Sequence, residues 1–349
     1  MRFVAYPDRP FLPRLPLDLW LDMLDDFDVD TLLRIRATNS VGDGYVAATL
    51  CHRLYQYLHD AVNYEAFVSA LEDTGAVLGG YGALRILFPL PHRPLPRFAD
   101  VFAPLGTYER LVAHLVVVQG FTQSPPPPDP PQAPPVIEDV DGSASSDSDD
   151  ETVEEPVAPG ARRVATRTVL SKGTFRITVV QSTVQCPLLA LTAEWNSAQF
   201  TYISARDFCS SYSRLNSEGR ALVNPLRLKR FRKIPRSLQA EVSTWRADGW
   251  EVAREWWPWA AGLCCPGALS EGCGAATRYF GDRFCSRGVL GAVWAQGDSE
   301  EVATQRDVWQ RETVMWWRGG DLCGRPCHGR MRFILPGARV CHKNAVIGL

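Results

Sequence analysis

Apolar positions recur at helical spacing through the first third of the chain. Leu17, Trp20, Leu21 and Leu24, with Phe27 or a neighbour, fall at i, i+3, i+4 and i+7, the stripe of an amphipathic helix. Leu32, Leu33 and Ile35 mark a second, short helix that Asp30 or Thr31 can cap. Val46, Leu50, Leu54 and Leu58 step by four, and Tyr64, Phe67, Val68 and Leu71 give a fourth stripe. Gly75 to Leu78 reads as a short strand that runs through Gly79-Gly80 into the apolar segment Tyr81 to Phe88. A helix capped by Thr107 and stopped at Gly120 follows.

The period then changes. Val164 to Leu170 and Thr174 to Val180 alternate apolar and polar residues around Ser171-Lys172-Gly173, which predicts a β-hairpin. Between the helical part and the hairpin lies residues 122–160, rich in proline from Pro125 to Pro135 and then acidic from Asp147 to Glu151. So little apolar surface cannot offset the entropy of ordering, and the segment is expected to be a disordered insertion. The predicted organisation is a helical segment over 12–58, a mixed α/β core over 62–121 plus 161–240, the insertion, and a Trp/Cys-rich region over 241–349. Its class is α+β, with a mixed sheet and helices.

Charge sharpens this division. The 349 residues carry a formal charge of −2, which conceals −4 over 1–121, −10 over 122–160 and +12 over 161–349. No apolar run approaches the roughly 20 residues that span a bilayer, and the first residues lack the apolar core of a secretory signal. The expectation is an intracellular protein, cytoplasmic or nuclear, with no membrane partner. Its 10 cysteines are then read as thiols or metal ligands rather than as disulfides.

The opening helices resemble an F-box. Leu15-Pro16-Leu17-Asp18-Leu19-Trp20-Leu21-Asp22-Met23-Leu24 matches the leucine-proline, acidic residue and apolar helix that begin that motif, and Asp30 to Asn39 matches its leucine-arginine part. Val41-Gly42-Asp43-Gly44 departs from the cysteine, arginine and tryptophan run of its closing section. The resemblance implies docking on a Skp1-type adaptor of a cullin ubiquitin ligase through Leu15, Pro16, Trp20, Leu24, Leu32 and Leu33. The alternative is that these residues pack on the rest of the chain.

A second stretch resembles a nucleotidyltransferase core. Gly75-Ala76-Val77-Leu78-Gly79-Gly80-Tyr81-Gly82-Ala83-Leu84 precedes Phe98-Ala99-Asp100-Val101-Phe102-Ala103-Pro104. That family sets a Gly-Ser pair at a helix N-terminus, where free N–H groups cradle phosphate, and then two carboxylates one residue apart on a strand, which hold Mg²⁺ on one face. Here Gly80 replaces the serine, Phe98 the first carboxylate, and only Asp100 remains; the hairpin strand Phe175 to Val180 has no acid. Two-metal phosphoryl chemistry needs several anionic oxygens. The resemblance therefore implies a degenerate core at Gly79, Gly80 and Asp100, with the hairpin in the same sheet and the acidic insertion between its strands.

The whole arrangement resembles a group of basidiomycete fungal proteins that join an F-box-like start to such a core and to a block like Asn196 to Ser204, Cys209 to Tyr212 and Gly219 to Pro225. Two further patterns bear on chemistry. Cys323-x₃-Cys327-His328 and Cys341-His342 are candidate ligands of a structural Zn²⁺, since thiolate and imidazole suit tetrahedral zinc; Cys264, Cys265, Cys273 and Cys285 form a second group. Unliganded cysteines are the alternative. Arg227, Lys229, Arg230, Arg232, Lys233 and Arg236, with ten of the 11 tryptophans after residue 190, would suit single-stranded nucleic acid, but core tryptophans and a solvated basic face explain them more simply. The expected function is that of a non-catalytic interaction protein, an F-box-type adaptor. A Mg²⁺-dependent nucleotidyltransferase or a nucleotide-binding pseudoenzyme is the alternative.

Overall fold

The computed structural model describes residues 16–90, 93–123, 163–224, 227, 234–259, 271–273, 277–291, 314–317, 339–342 and 345–348. Four helices open the chain: α1 (Leu17–Leu24), α2 (Val29–Arg36), α3 (Ser40–Leu58) and α4 (Tyr64–Thr74). Side-chain oxygens cap three of them, as orphan N–H groups at a helix start require. Asp28 accepts from Thr31 N at 2.8 Å, Asn39 from Gly42 N at 2.8 Å and Asn63 from Ala66 N at 3.2 Å. Asp28, not Asp30 or Thr31, thus caps α2. The Asp30 carboxylate instead accepts both Ser213 and Ser286 hydroxyls from the distant part of the chain.

The chain continues through β1 (Val77–Gly79), α5 (Gly80–Leu87), β2 (Phe98–Ala103), α6 (Tyr108–Val117) and β3 (Thr122–Gln123). Thr107 precedes α6, but its hydroxyl donates to Thr74 O at 2.6 Å and does not cap the helix. After the acidic insertion come β4 (Val164–Lys172) and β5 (Phe175–Ser182), a hairpin turning at Gly173, whose φ is +58°. Then follow α7 (Pro187–Leu191), β6 (Thr201–Ile203), β7 (Asp207–Ser210), α8 (Ser213–Ser217), β8 (Arg220–Leu222), α9 (Arg236–Ala247), β9 (Glu251–Ala253), β10 (Thr277–Tyr279), β11 (Ser286–Val289), β12 (Val314–Trp317), β13 (Arg339–His342) and β14 (Ala345–Gly348).

Eight strands form one mixed sheet in the order β11-β7-β6-β1-β2-β5-β4-β3. β1 runs antiparallel to β2 and β6, β5 parallel to β2, and β4 antiparallel to β5. The hairpin therefore lies in the same sheet as β1 and β2, and the acidic insertion leaves at β3 and returns at β4, two strands that pair with each other. Central strands are covered on both faces, so their apolar residues divide between two cores. Leu78, Ala99, Val101, Ile177 and Val179 pack with Leu32, Leu50, Leu54 and Phe67 of the opening helices. Val77, Phe102 and Val180 pack on the other face with Leu188, Leu191 and Trp316. The molecule is an α+β protein built on a mixed sheet.

Candidate functional site

β1 delivers two glycines to the start of α5. At Gly79 an added Cβ would stand 2.6 Å from the Phe102 ring and 2.9 Å from Leu191, so only glycine fits between strand and α7. Gly80 has φ +64° and opens α5 in the left-handed region that favours glycine. A Cβ there would lie 3.4 Å from Asp100 Oδ2. Because Gly79 pairs with Asp100 across β1 and β2, the fold brings Gly79, Gly80 and Asp100 together.

The strand beside Asp100 carries no acid. In the parallel register of β2 and β5, Phe98 faces Arg176 and Asp100 faces Thr178. The Arg176 guanidinium lies 5.9 Å over the Phe98 ring, and Thr178 hydrogen-bonds the Asp100 carboxylate. Burial pushes the Asp100 carboxyl above its ordinary value, while Arg167, Thr178 and Arg176 act in the opposite direction.

A second carboxylate approaches from a segment that pattern reading passed over. Glu194, three residues after α7, is buried beside Asp100. Arg167 of β4 lies 3.7 Å from its Oε1, and Arg227, held by two hydrogen bonds to Ala193 O, adds a further positive charge. Burial first, and then the Asp100 charge, push the Glu194 carboxyl up to about 7 against the pull of Arg167 and Arg227. Aromatic rings close the neighbourhood: Tyr81 stacks on Phe98 at 6.0 Å, Trp245 packs on Tyr81 at 5.1 Å, and Trp195 meets Trp245 edge-on at 5.3 Å. The sequence did hold a signal for Glu194, since it is the only charged residue between Arg176 and Arg206. A lone acid in an apolar run is either a defect or a site.

This constellation does not fit Mg²⁺ chemistry. Of the four positions that face one another on β2 and β5, Phe98, Asp100, Arg176 and Thr178, one supplies an anionic oxygen and one a fixed positive charge. A metal pair needs several anionic oxygens on one face. Among the described residues no group of three His, Cys, Asp or Glu side chains is arranged to hold a metal ion. Glu194 is engaged by arginine, and a proton-bearing carboxyl near neutral pH is a poor metal ligand.

The residues expected at an F-box surface are divided by the fold. Leu24 and Leu32 are 2% and 0% exposed and belong to the core shared with the sheet. Trp20 is half-buried and stacked on Tyr45 at 4.6 Å, and Leu33 is half-buried against the same core. Pro16 is exposed at the start of α1, and Leu15 lies outside the described residues. Of the candidate zinc ligands, Cys323, Cys327 and His328 also lie outside them, and Cys341 and His342 fall in β13 between β12 and β14. In the other cysteine group, Cys264 and Cys265 lie outside the described residues, while Cys273 is buried and Cys285 half-buried. Comparison of the chain with family models, with curated proteins and with solved structures returns no match in any of the three.

Proposed function

We propose that the protein is a non-catalytic interaction protein in which a degenerate nucleotidyltransferase-like core serves as the platform for an F-box-like helical segment. The observation that carries the non-catalytic part is the facing of Arg176 and Thr178 to Phe98 and Asp100. Where phosphoryl transfer needs anionic oxygens, an arginine and a hydroxyl stand instead. Neither an arginine nor a hydroxyl supplies an anionic oxygen, so the arrangement offers no ion-binding pair.

The docking face is then the outer side of α1 rather than its inner leucines. Leu19 and Met23, one step of four apart on α1, are 48% and 54% exposed, Phe27 just past its end is 40% exposed, and exposed Asp18, Asp22, Asp25 and Asp26 lie among them in the chain. Exposed apolar residues on and just after one helix, interleaved with acids, suit a partner with an apolar groove and basic edges; a Skp1-type adaptor is the partner that the F-box resemblance names. Pull-down of purified full-length protein with a Skp1-type adaptor is expected to give a complex that Leu19→Asp with Met23→Asp abolishes. Both side chains are exposed, so the thermal midpoint of the double variant should stay within about 2 °C of the wild type. Absence of a complex with the wild type would remove the adaptor reading.

One observation favours a second reading, a nucleotide-binding pseudoenzyme. Gly80 opens α5 beside Asp100, with Arg167 and Arg176 at hand. Calorimetric titration with ATP in the presence of a chelator tests it: heat lost in Arg176→Ala supports the reading, and no heat with the wild type ends it.

A further inference from the structure

α9 turns one face towards an open groove. Gln239, Val242, Ser243 and Arg246 fall at i, i+3, i+4 and i+7 on that helix. They line the groove together with Ile234, just before α9, and Arg254, just after β9. Its volume is about 520 Å³, within the roughly 300–1,000 Å³ of small-molecule sites. Val242 is buried and Ile234 half-buried against the main core, so the groove has an apolar wall that the fold holds in place. Gln239, Ser243, Arg246 and Arg254 are exposed around it.

Two guanidinium-bearing side chains reach the groove from two elements, and no acidic side chain lines it. Arg246 Nη2 donates to Val252 O at 3.2 Å, which ties the end of α9 to β9 and fixes where the guanidinium stands. Among the described residues it meets no carboxylate. Acids close by in sequence are bound or turned elsewhere. Asp248 lies 3.5 Å from Arg93 and accepts from Tyr81 OH, and Glu251 lies 3.3 Å from Arg220. Glu241 sits on the far side of α9, roughly 140–200° round the helix from Gln239, Ser243 and Arg246. The sequence on either side of Ile234, from Arg227 to Arg236, holds six cations in ten residues. The charge offered to a ligand is therefore positive.

We propose that this groove binds a small anionic amphiphile, a carboxylate- or phosphate-headed molecule with an apolar body. The head takes N–H donors of Arg246 and Arg254, whose planar forks match either oxyanion. The body covers Ile234 and Val242, and Gln239 and Ser243 rim it. A bare anion would be held only by charges that solvent and salt screen, and an uncharged apolar molecule would leave the arginines unused. Both features together select a ligand that carries both.

Calorimetric titration of the full-length chain with decanoate and with decyl phosphate, each below its micelle-forming concentration, tests the site. Saturable binding of at least one is expected, and which of them binds more tightly identifies the head group. Decanol and decyltrimethylammonium are expected not to bind. Arg246→Gln with Arg254→Gln should weaken binding at least about tenfold. Ser243→Glu should do the same, since it places a negative charge in the groove at an exposed position and keeps both arginines. Binding that survives these variants, or that decanol matches, overturns the proposal. Absence of binding with both anions does so too. Inorganic phosphate bound as tightly as decyl phosphate would show a bare patch of charge and overturn the amphiphile site.

Discussion

Glu194 shows how one residue can set a pH response for the fold. Its carboxyl rises from 4.5 to about 7 on burial, so the folded chain binds a proton that the unfolded chain has released. Between those values the folded state holds more protons, and stability falls as pH rises from about 4.5 to 7, then levels off. The full difference corresponds to roughly 3 kcal/mol. Glu271 shares this window for the same reason, since burial also raises it to about 7 despite Arg278 and the Leu215 N–H bond at 2.6 Å. Glu194→Gln is therefore expected to stabilise the protein by about 1–3 kcal/mol at about pH 8, a gain that fades towards pH 4.5. Urea unfolding at a series of pH values measures it. A gain independent of pH would mean that ionisation of Glu194 is not the cause.

Arg53 plays the corresponding part among the helices. It lies on α3 opposite to nothing that periodicity marks, yet its guanidinium is buried and donates to Leu24 O, Asp25 O and Phe27 O at 2.6–2.7 Å and to Ile86 O at 3.1 Å. Leu24 closes α1, with Asp25 and Phe27 just after it, and this single side chain gathers their carbonyls while tying the end of α1 to α5. Arg53→Met keeps the apolar stem and removes the donors. It should cost at least about 3 kcal/mol, because buried acceptors are then left unpaired. Chemical denaturation gives the value, and a loss below about 1 kcal/mol would show that water replaces the guanidinium.

The elements themselves were readable from the sequence. The stripe Val46, Leu50, Leu54, Leu58 becomes the buried face of α3, and the alternation around Gly173 becomes the β4–β5 hairpin. Both patterns reflect burial against whatever lies opposite, and that is local information. Arg53, Glu194 and Arg167 were missed because their roles depend on residues 26 or more positions away, and no period in the chain encodes such a meeting. Gly80 and Asp100 were legible as a pair; the arginine and the second acid around them were not.

At the scale of the whole molecule, the opening helices and the sheet share one apolar interior. Leu32, Leu50 and Leu54 pack in the same cluster as Val101, Ile177 and Val179. Polar contacts run the same way: Arg36 pairs with Asp43 at 3.0 Å and reaches the carbonyls of β11 and the residues after it, while Asp30 receives Ser213 and Ser286. A helical segment so joined has little interior of its own. α1 and α2 have 8 residues each, shorter than the roughly 12–15 at which an isolated helix becomes even marginal in water. The fragment 16–62 is thus expected to show at most a small part of its helical far-UV signal at 25 °C and no cooperative melt. The full chain should lose the signal of those helices in the same transition as the sheet. A fragment that kept its helices and melted cooperatively would mean that the segment is a domain in its own right, able to meet a partner without the core behind it. Loss of the helices with the sheet means instead that any partner of α1 reads the folded state of the whole molecule.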